Sequence, residues 1–285
     1  MTPSPPPLST IPTLPPPTKS SKRASPGSKS STKPSKRARL NVAADETTQV
    51  SGLLEHRLNF ADADVYYVPS FVEDDLAQQW YQELINIDGW YQPTLKMYGK
   101  EITQSRKIAA FATDRELTVK YSGALVDMQY HYPPLLQKIQ SMVEEKLGVT
   151  FNHCMMNSYE NGSVYIGNHR DNRENRVIAS LSLGAPRTFI MEHDKPPSDA
   201  PATSKKPLKQ TKSKSKTPLG TSSEPPSSIE QRTKDTPLYY KKWVLENGSL
   251  VVMQGSTQQS WKHQIPKEPK VKQGRISLTF RQLVF

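Results

Sequence analysis

Three residues near the middle of the chain, His169-Arg170-Asp171 within "IGNHRDNREN", are of types that can do chemistry at that spacing. His-Arg-Asp opens the catalytic loop of protein kinases, where an Asn five residues beyond the Asp holds a metal ion. Here that position is Arg176, and Asn172 and Asn175 stand at other offsets. The sequence also lacks Asp-Phe-Gly, a glycine-rich phosphate loop and a Val-Ala-Ile-Lys strand, so nothing would position two magnesium ions. The other chemistry is metal binding. On an extended segment residues two apart project to one side, so His169 and Asp171 can converge on one ion. A second histidine must come from elsewhere: His56, His131, His153, His193 or His263.

The C-terminal stretch favours His263. "GRISLTFRQLVF" alternates strictly, with Arg275, Ser277, Thr279 and Arg281 on one face and Ile276, Leu278 and Phe280 on the other. Two arginines on one strand face line either an exposed flank or a cavity. Two imidazoles, one carboxylate and an arginine-lined pocket suit a non-haem Fe(II) centre with open positions and an anionic co-substrate. Arginine offers the planar fork that matches a carboxylate.

Such a site needs a frame. Val65–Val68 reads as a strand, and Glu73 to Ile87 carries Leu76, Trp80, Leu84 and Ile87 at helical spacing. A second helix runs from about Pro134 to Leu147, with Gly148 as its stop. Between them, "LKMYGKEITQSRKIAAF" reads as a polar, irregular loop that touches a ligand. From Phe151 onward come short strands at 154–159, 163–168, 177–183, 187–192, 239–245, 249–253 and 274–284, parted by turns such as Asn161-Gly162 and Asn247-Gly248. Helices followed by short strands imply an α+β domain built on a β-sandwich or jelly roll.

Composition sets the limits of that domain. Of 25 prolines, residues 1–40 hold ten and residues 195–237 hold eight, amid Ser, Thr and Lys with few large apolar side chains. Such segments bury too little surface to offset the entropy of ordering, so a disordered tail (1–55) and a disordered basic insertion (195–237) are expected to flank and interrupt a domain at 56–285. The tail carries +8 and the insertion +5 of the total +11, leaving the remainder near −2. The basic segments supply non-specific attraction to nucleic acid rather than base reading. The clusters Ser21-Lys22-Arg23 and Ser35–Leu40 suit nuclear import. One cysteine, Cys154, no apolar run near the length of a membrane span and no signal-peptide pattern point to an intracellular chain off the membrane.

Taken together, "NSYENGSVYIGNHRDNRENRVIASLSLGAPRTFIM", "WKHQIP" and "GRISLTFRQL" resemble the AlkB family of Fe(II)/2-oxoglutarate-dependent nucleic-acid dioxygenases. The resemblance covers roughly residues 60–194 and 238–285 and is strongest to eukaryotic DNA alkylation-repair members. It implies a double-stranded β-helix (jelly roll) core with N-terminal helices and nucleotide-recognition loops. It implies His169, Asp171 and His263 as iron ligands, Arg275 and Tyr159 on the distal carboxylate of 2-oxoglutarate, and Arg281 and Asn157 on its chelating end. Tyr98, with Gly99 allowing close approach, matches a wedge that fills the gap left by a flipped base. Arg106 matches a DNA-contacting arginine, and Tyr121 matches an aromatic that stacks on the base opposite His169.

The implied reaction is oxidative demethylation of bases such as 1-methyladenine or 3-methylcytosine in DNA, using O2 and releasing succinate and formaldehyde, by a monomer. The same chemistry on RNA, or hydroxylation of a protein or small molecule, are the alternatives. Two positions depart from the family pattern. Arg173, counted with the substrate contacts, replaces an acid expected against the damaged base, and Val119 replaces an aromatic.

Overall fold

The computed structural model describes residues 51–97, 100–121, 124–201 and 236–284. Most of the tail and of the insertion therefore lie outside the described residues, as do Tyr98 and Gly99. The described part begins before residue 56, with a 3-10 turn at Ser51–His56 whose Leu53 is fully buried. There follow β1 (Arg57–Leu58), β2 (Asp64–Val68), helix α1 (Asp74–Leu84), β3 (Thr94–Met97), β4 (Lys100–Thr103) and β5 (Lys107–Ala112). Next come β6 (Lys120–Tyr121), β7 (Ala124–Leu125), β8 (Met128–Gln129), helix α2 (Pro134–Leu147), β9 (His153–Tyr159), β10 (Ile166–His169) and β11 (Asn175–Gly184). The chain ends through β12 (Arg187–His193), β13 (Tyr240–Leu245), β14 (Leu250–Gln254), a short helical turn at Thr257–Ser260, β15 (Trp261–Ile265) and β16 (Arg275–Leu283).

The larger sheet runs β1-β2-β14-β11-β16-β9-β5-β8, and a second runs β10-β15-β12-β13. All neighbours in both are antiparallel except β5 and β8. Period-two alternation gives the larger sheet two different faces. Ile276, Leu278 and Phe280 of β16, Cys154 and Met156 of β9, and Val177, Ala179, Leu181 and Leu183 of β11 pack on the helices. Each fully buried Ile, Leu or Phe in that layer contributes about 1.5–3 kcal/mol. The opposite face of the sheet turns toward the smaller sheet, where Tyr159, Ile178, Val251 and Met253 meet Phe189, Met191, Trp261 and Ile265. This is the expected jelly roll, with helices covering one sheet.

Helix α1 begins with Asp74 and Asp75 at its positive end and buries Ala77, Trp80 and Leu84. Of the expected stripe, Trp80 and Leu84 are buried and Ile87 packs against the core, while Leu76 is 40% exposed and Ala77 takes its place. Helix α2 opens with Pro134, whose missing N–H is needed by no partner there, and stops at Gly148 in the left-handed conformation (φ 68°).

The polar stretch between the helices is not irregular. Its first half is the β3–β4 hairpin, with Thr94 opposite Thr103. Its second half is β5, buried from Ile108 to Ala112 inside the larger sheet. Small apolar residues such as "IAA" carry little periodic signal, which is why the strand was missed. The insertion leaves the described chain at residue 201 and re-enters at 236, joining β12 to β13, which pair directly.

Candidate active site

The site lies on the inner face of the larger sheet. Register sets β9 against β16 so that Tyr159 faces Arg275, Asn157 faces Ser277, Met155 faces Thr279 and His153 faces Arg281. All share one face by alternation, and β11 adds Ser182 beside Ser277 and Ser180 beside Thr279. The smaller sheet closes the space with Ile166, Phe189, His263 and Ile265. The cavity holds about 590 Å³, part of it open to solvent.

His169 reaches it through a bulge. β10 pairs with β15 as Ile166 against Ile265 and His169 against His263, three residues on one strand matching two on the other. Without that extra residue, alternation would send His169 to the face opposite Ile166. With it, the two imidazoles lie side by side, ring centroids 4.4 Å apart. His263 Nε2 is 3.5 Å from Asp171 Oδ2, and Arg281 Nη2 donates to Asp171 Oδ1 at 2.9 Å.

His169 Nδ1 sits 2.9 Å from the Gly167 carbonyl oxygen. With Nδ1–H donating there, Nε2 keeps its lone pair for a metal, the usual second hydrogen bond of a ligand imidazole. Burial lowers the pKa of His169 and pushes that of His263 down to about 3, the neighbouring imidazole adding to the second shift. Both rings are neutral near pH 7. Burial works against ionisation of Asp171, yet Arg281, His263 and His169 outweigh it and hold the carboxyl below its ordinary range.

At the other end of the cavity Arg275 is 2% exposed and donates Nη2 to Ser182 Oγ at 2.9 Å. Its Nε and Nη1 have no hydrogen-bond partner among the described residues. Burial lowers its pKa to about 10, with the nearby Tyr159 hydroxyl partly opposing the shift. A buried guanidinium with two unmet donors is costly unless an anion completes it. The Tyr159 ring lies between Arg275 and Arg187, each guanidinium carbon 5.3–5.6 Å from its centroid.

A sequence profile of the 2OG-Fe(II) oxygenase superfamily matches residues 64–281. The chain belongs to that superfamily. Its metal is Fe(II), with 2-oxoglutarate and O2 as co-substrates. The oxygenase is 27% identical over 225 residues to "DNA oxidative demethylase ALKBH2" of Arabidopsis thaliana, a match over 77% of this chain and 66% of the relative. It is 29% identical over 217 residues to the human "Alpha-ketoglutarate-dependent dioxygenase alkB homolog 3", over 75% of this chain and 64% of the relative. Against human "DNA oxidative demethylase ALKBH2" the identity is 29% over 194 residues, covering 67% of this chain and 61% of the relative. The chain thus spans a little under two thirds of the length of these relatives.

The donor set of the oxygenase fits its cofactors. Two neutral imidazoles and a carboxylate are what the facial triad of such iron sites requires, and the bare nitrogens of Arg275 fit a carboxylate. The approach is pairwise: Asp171 turns its oxygens to Arg281 and His263, and among the described residues no three His, Cys, Asp or Glu side chains surround one point.

Of the sequence-predicted residues, the structure gathers His169, Asp171, His263, Asn157, Tyr159, Arg275, Arg281 and also Arg106 around one cavity. Arg106 is 3% exposed and donates Nε to Asn157 Oδ1 at 2.8 Å. Arg281 is bonded to Asp171. Arg173 is exposed and does not line this cavity, and the side chain of Tyr121 lies outside the described residues.

Sequence reasoning missed three contributors. Arg170, between the two candidate ligands, pairs with Asp194 and donates Nη1 to the Gln259 carbonyl at 2.7 Å, tying that segment to the base of β15. Ser182 holds Arg275. Arg187, backing Tyr159, is itself held by Glu268 and the carbonyls of Asn161, Val164 and Pro266. A buried arginine two residues beyond the turn Gly184-Ala185 has no local signal.

Proposed function

We propose that this oxygenase removes N-methyl groups from alkylated DNA bases of the 1-methyladenine and 3-methylcytosine type, acting as a monomer in the nucleus. The observation that supports the reading is a single cavity lined by Arg275, buried with two nitrogens unmet, and by His169, Asp171 and His263. The curated relatives named above, described as DNA oxidative demethylases, support the choice of substrate. So do the tail's basic clusters, which suit both nuclear import and non-specific attraction to phosphate.

His169, Asp171 and His263 would hold the iron. Arg275, with Tyr159 beside it, would bind the distal carboxylate of 2-oxoglutarate, and Arg281 with Asn157 its chelating end. Bound iron and co-substrate supply oxidation of the methyl carbon coupled to decarboxylation, after which the hydroxymethylated base sheds formaldehyde. The protein's own task is to admit the base and hold its methyl group toward the ligand trio. Extrusion of a base costs a few kcal/mol, least when methylation has already broken its pairing. Insertion of Tyr98 into the vacated stack would offset part of that cost.

The test is incubation with Fe(II), ascorbate and 2-oxoglutarate on single-stranded DNA, duplex DNA and RNA carrying methylated bases, with nucleosides followed by mass spectrometry. Repair of DNA is expected. Repair confined to RNA would move the substrate to the other nucleic acid. Succinate formed on a protein or small molecule with every methylated base intact would overturn the reading.

A further inference from the structure

The row on β9 extends beyond the residues already described. Beyond Asn157 and Met155 comes His153, opposite Arg281 on β16 and on the same face as the cavity residues. It is fully buried, and neither ring nitrogen has a hydrogen-bond partner among the described residues. Buried polar atoms left unmet cost about 1–3 kcal/mol each, so natural proteins seldom keep them without a use. His153 lines a second, smaller cavity of about 360 Å³ that shares Met155, Asp171 and Arg281 with the first. Part of that space is open to solvent, and it adjoins the first cavity at those three residues.

The charges of this second cavity point the same way. Lys120, Arg170 and Arg281 line it, and its one acid among the described residues is Asp171, already engaged by Arg281 and His263. Arg173, where a base-reading acid was expected, is exposed and lines neither of these two cavities. Among the described residues lining the second cavity no carboxylate is then left free, and the buried acceptors without a partner are His153 and the Asn175 Oδ1 amide oxygen. A neutral imidazole offers one acceptor and one donor. Burial, reinforced by Arg281, keeps His153 neutral by pushing its pKa down to about 3.

Resting on the demethylase reading above, we propose that His153 is a specificity-determining residue that accepts a hydrogen bond from the exocyclic amino group beside the alkylated ring nitrogen of the flipped base. Lesions with that amino group, 1-methyladenine and 3-methylcytosine, are then preferred over those with a carbonyl oxygen there, 3-methylthymine and 1-methylguanine.

The experiment compares kcat/KM on short single-stranded oligonucleotides carrying one lesion of each class. In parallel, their binding is measured by fluorescence anisotropy with Mn(II) replacing iron, so that no turnover occurs. His153→Phe keeps a planar ring and loses both nitrogens; His153→Gln keeps an acceptor. Wild type should prefer amino-bearing lesions in both measurements. His153→Phe should lose about tenfold of that preference, the equivalent of one hydrogen bond of about 1.4 kcal/mol, and His153→Gln should retain most of it. Because the readout is a ratio within one preparation, partial misfolding of a variant cancels. Repair by the wild type with an unaltered ratio in His153→Phe, or equal losses on both classes, overturns the role of His153 and leaves the demethylase reading standing. Absence of repair by the wild type on any strand overturns both.

Discussion

Arg275→Met separates a binding role from a structural one because its two effects have opposite signs. In the ligand-free protein the guanidinium is 2% exposed, keeps one bond to Ser182 Oγ and leaves Nε and Nη1 bare. Replacing poorly compensated buried charge by apolar volume is neutral or stabilising by about 1–4 kcal/mol, and the lost Ser182 bond takes back about 1 kcal/mol. The variant should therefore melt no lower than wild type. With co-substrate the sign reverses. Truncating one partner of a buried charged pair costs about 2–5 kcal/mol, which weakens 2-oxoglutarate about 30-fold to several thousand-fold. The assay is thermal denaturation with Mn(II) in place of iron, with and without 2-oxoglutarate at about 100 times its wild-type Kd. Wild type gains about 2.7 kcal/mol, or roughly 5–10 °C for a domain of this size. The variant should gain no more than about a third of that. A variant that melts several degrees low without co-substrate, or keeps the full shift with it, would refute the assignment.

Three further outcomes are expected. Arg170→Ala should weaken Mn(II) binding by up to about tenfold by loosening the segment between His169 and Asp171, while stability changes by no more than about 1 kcal/mol because the Asp194 pair is part-exposed. A metal titration showing unchanged affinity beside a large drop in melting temperature would make the residue merely structural. Tyr98→Ala should lower repair of duplex DNA more than of single strands, and equal losses on both would remove the wedge role. Glu268 is opposed by burial, but Thr188 and Arg187 lower its pKa below the ordinary 4.5. A depressed carboxylate lends stability that is complete above the unfolded value and disappears as pH falls through the folded one. Glu268→Gln should thus cost on the order of 1 kcal/mol at neutral pH, its side chain being 28% exposed, and urea titrations should show the gap to wild type closing in acid. A gap independent of pH would place the effect in packing.

What the sequence made legible follows from how local each signal is. The alternation of Arg275, Ser277, Thr279 and Arg281 belongs to one strand, and β16 bears it out residue by residue, with both arginines facing the cavity. The pairing of His169 with His263 does not. It needs a one-residue bulge in β10 and a strand, β15, that were absent from the sequence reading. His263 was found through its surroundings and the family resemblance, not through its own strand. The irregular-loop reading of the stretch around Arg106 failed for a related reason. Beside Lys107, Arg106 reads as part of a basic loop, but β5 begins at Lys107 and enters the sheet next to β9, where Arg106 donates to Asn157.

Those long-range pairings have a consequence for how the site is built. Arg275, Arg281, Asn157, Tyr159 and His153 all depend on a single antiparallel register, β9 against β16, with alternate residues on one face, whereas His169 and His263 depend on β10 against β15. A slip of one residue in β9 would turn Asn157, Tyr159 and His153 into the helix-packed core and bring Cys154 and Met156 to the cavity, and the same slip in β16 would exchange Arg275 and Arg281 for Ile276, Leu278 and Phe280. The apolar layer that secures the fold is therefore also what fixes the order of functional groups along the opposite face. Selection for stability on one side of the sheet preserves geometry on the other. Val119 and Arg173 lie on neither strand, so substitution there leaves that register undisturbed. On the demethylase reading, base preference can therefore change at those two positions while the residues proposed for iron and 2-oxoglutarate stay in place.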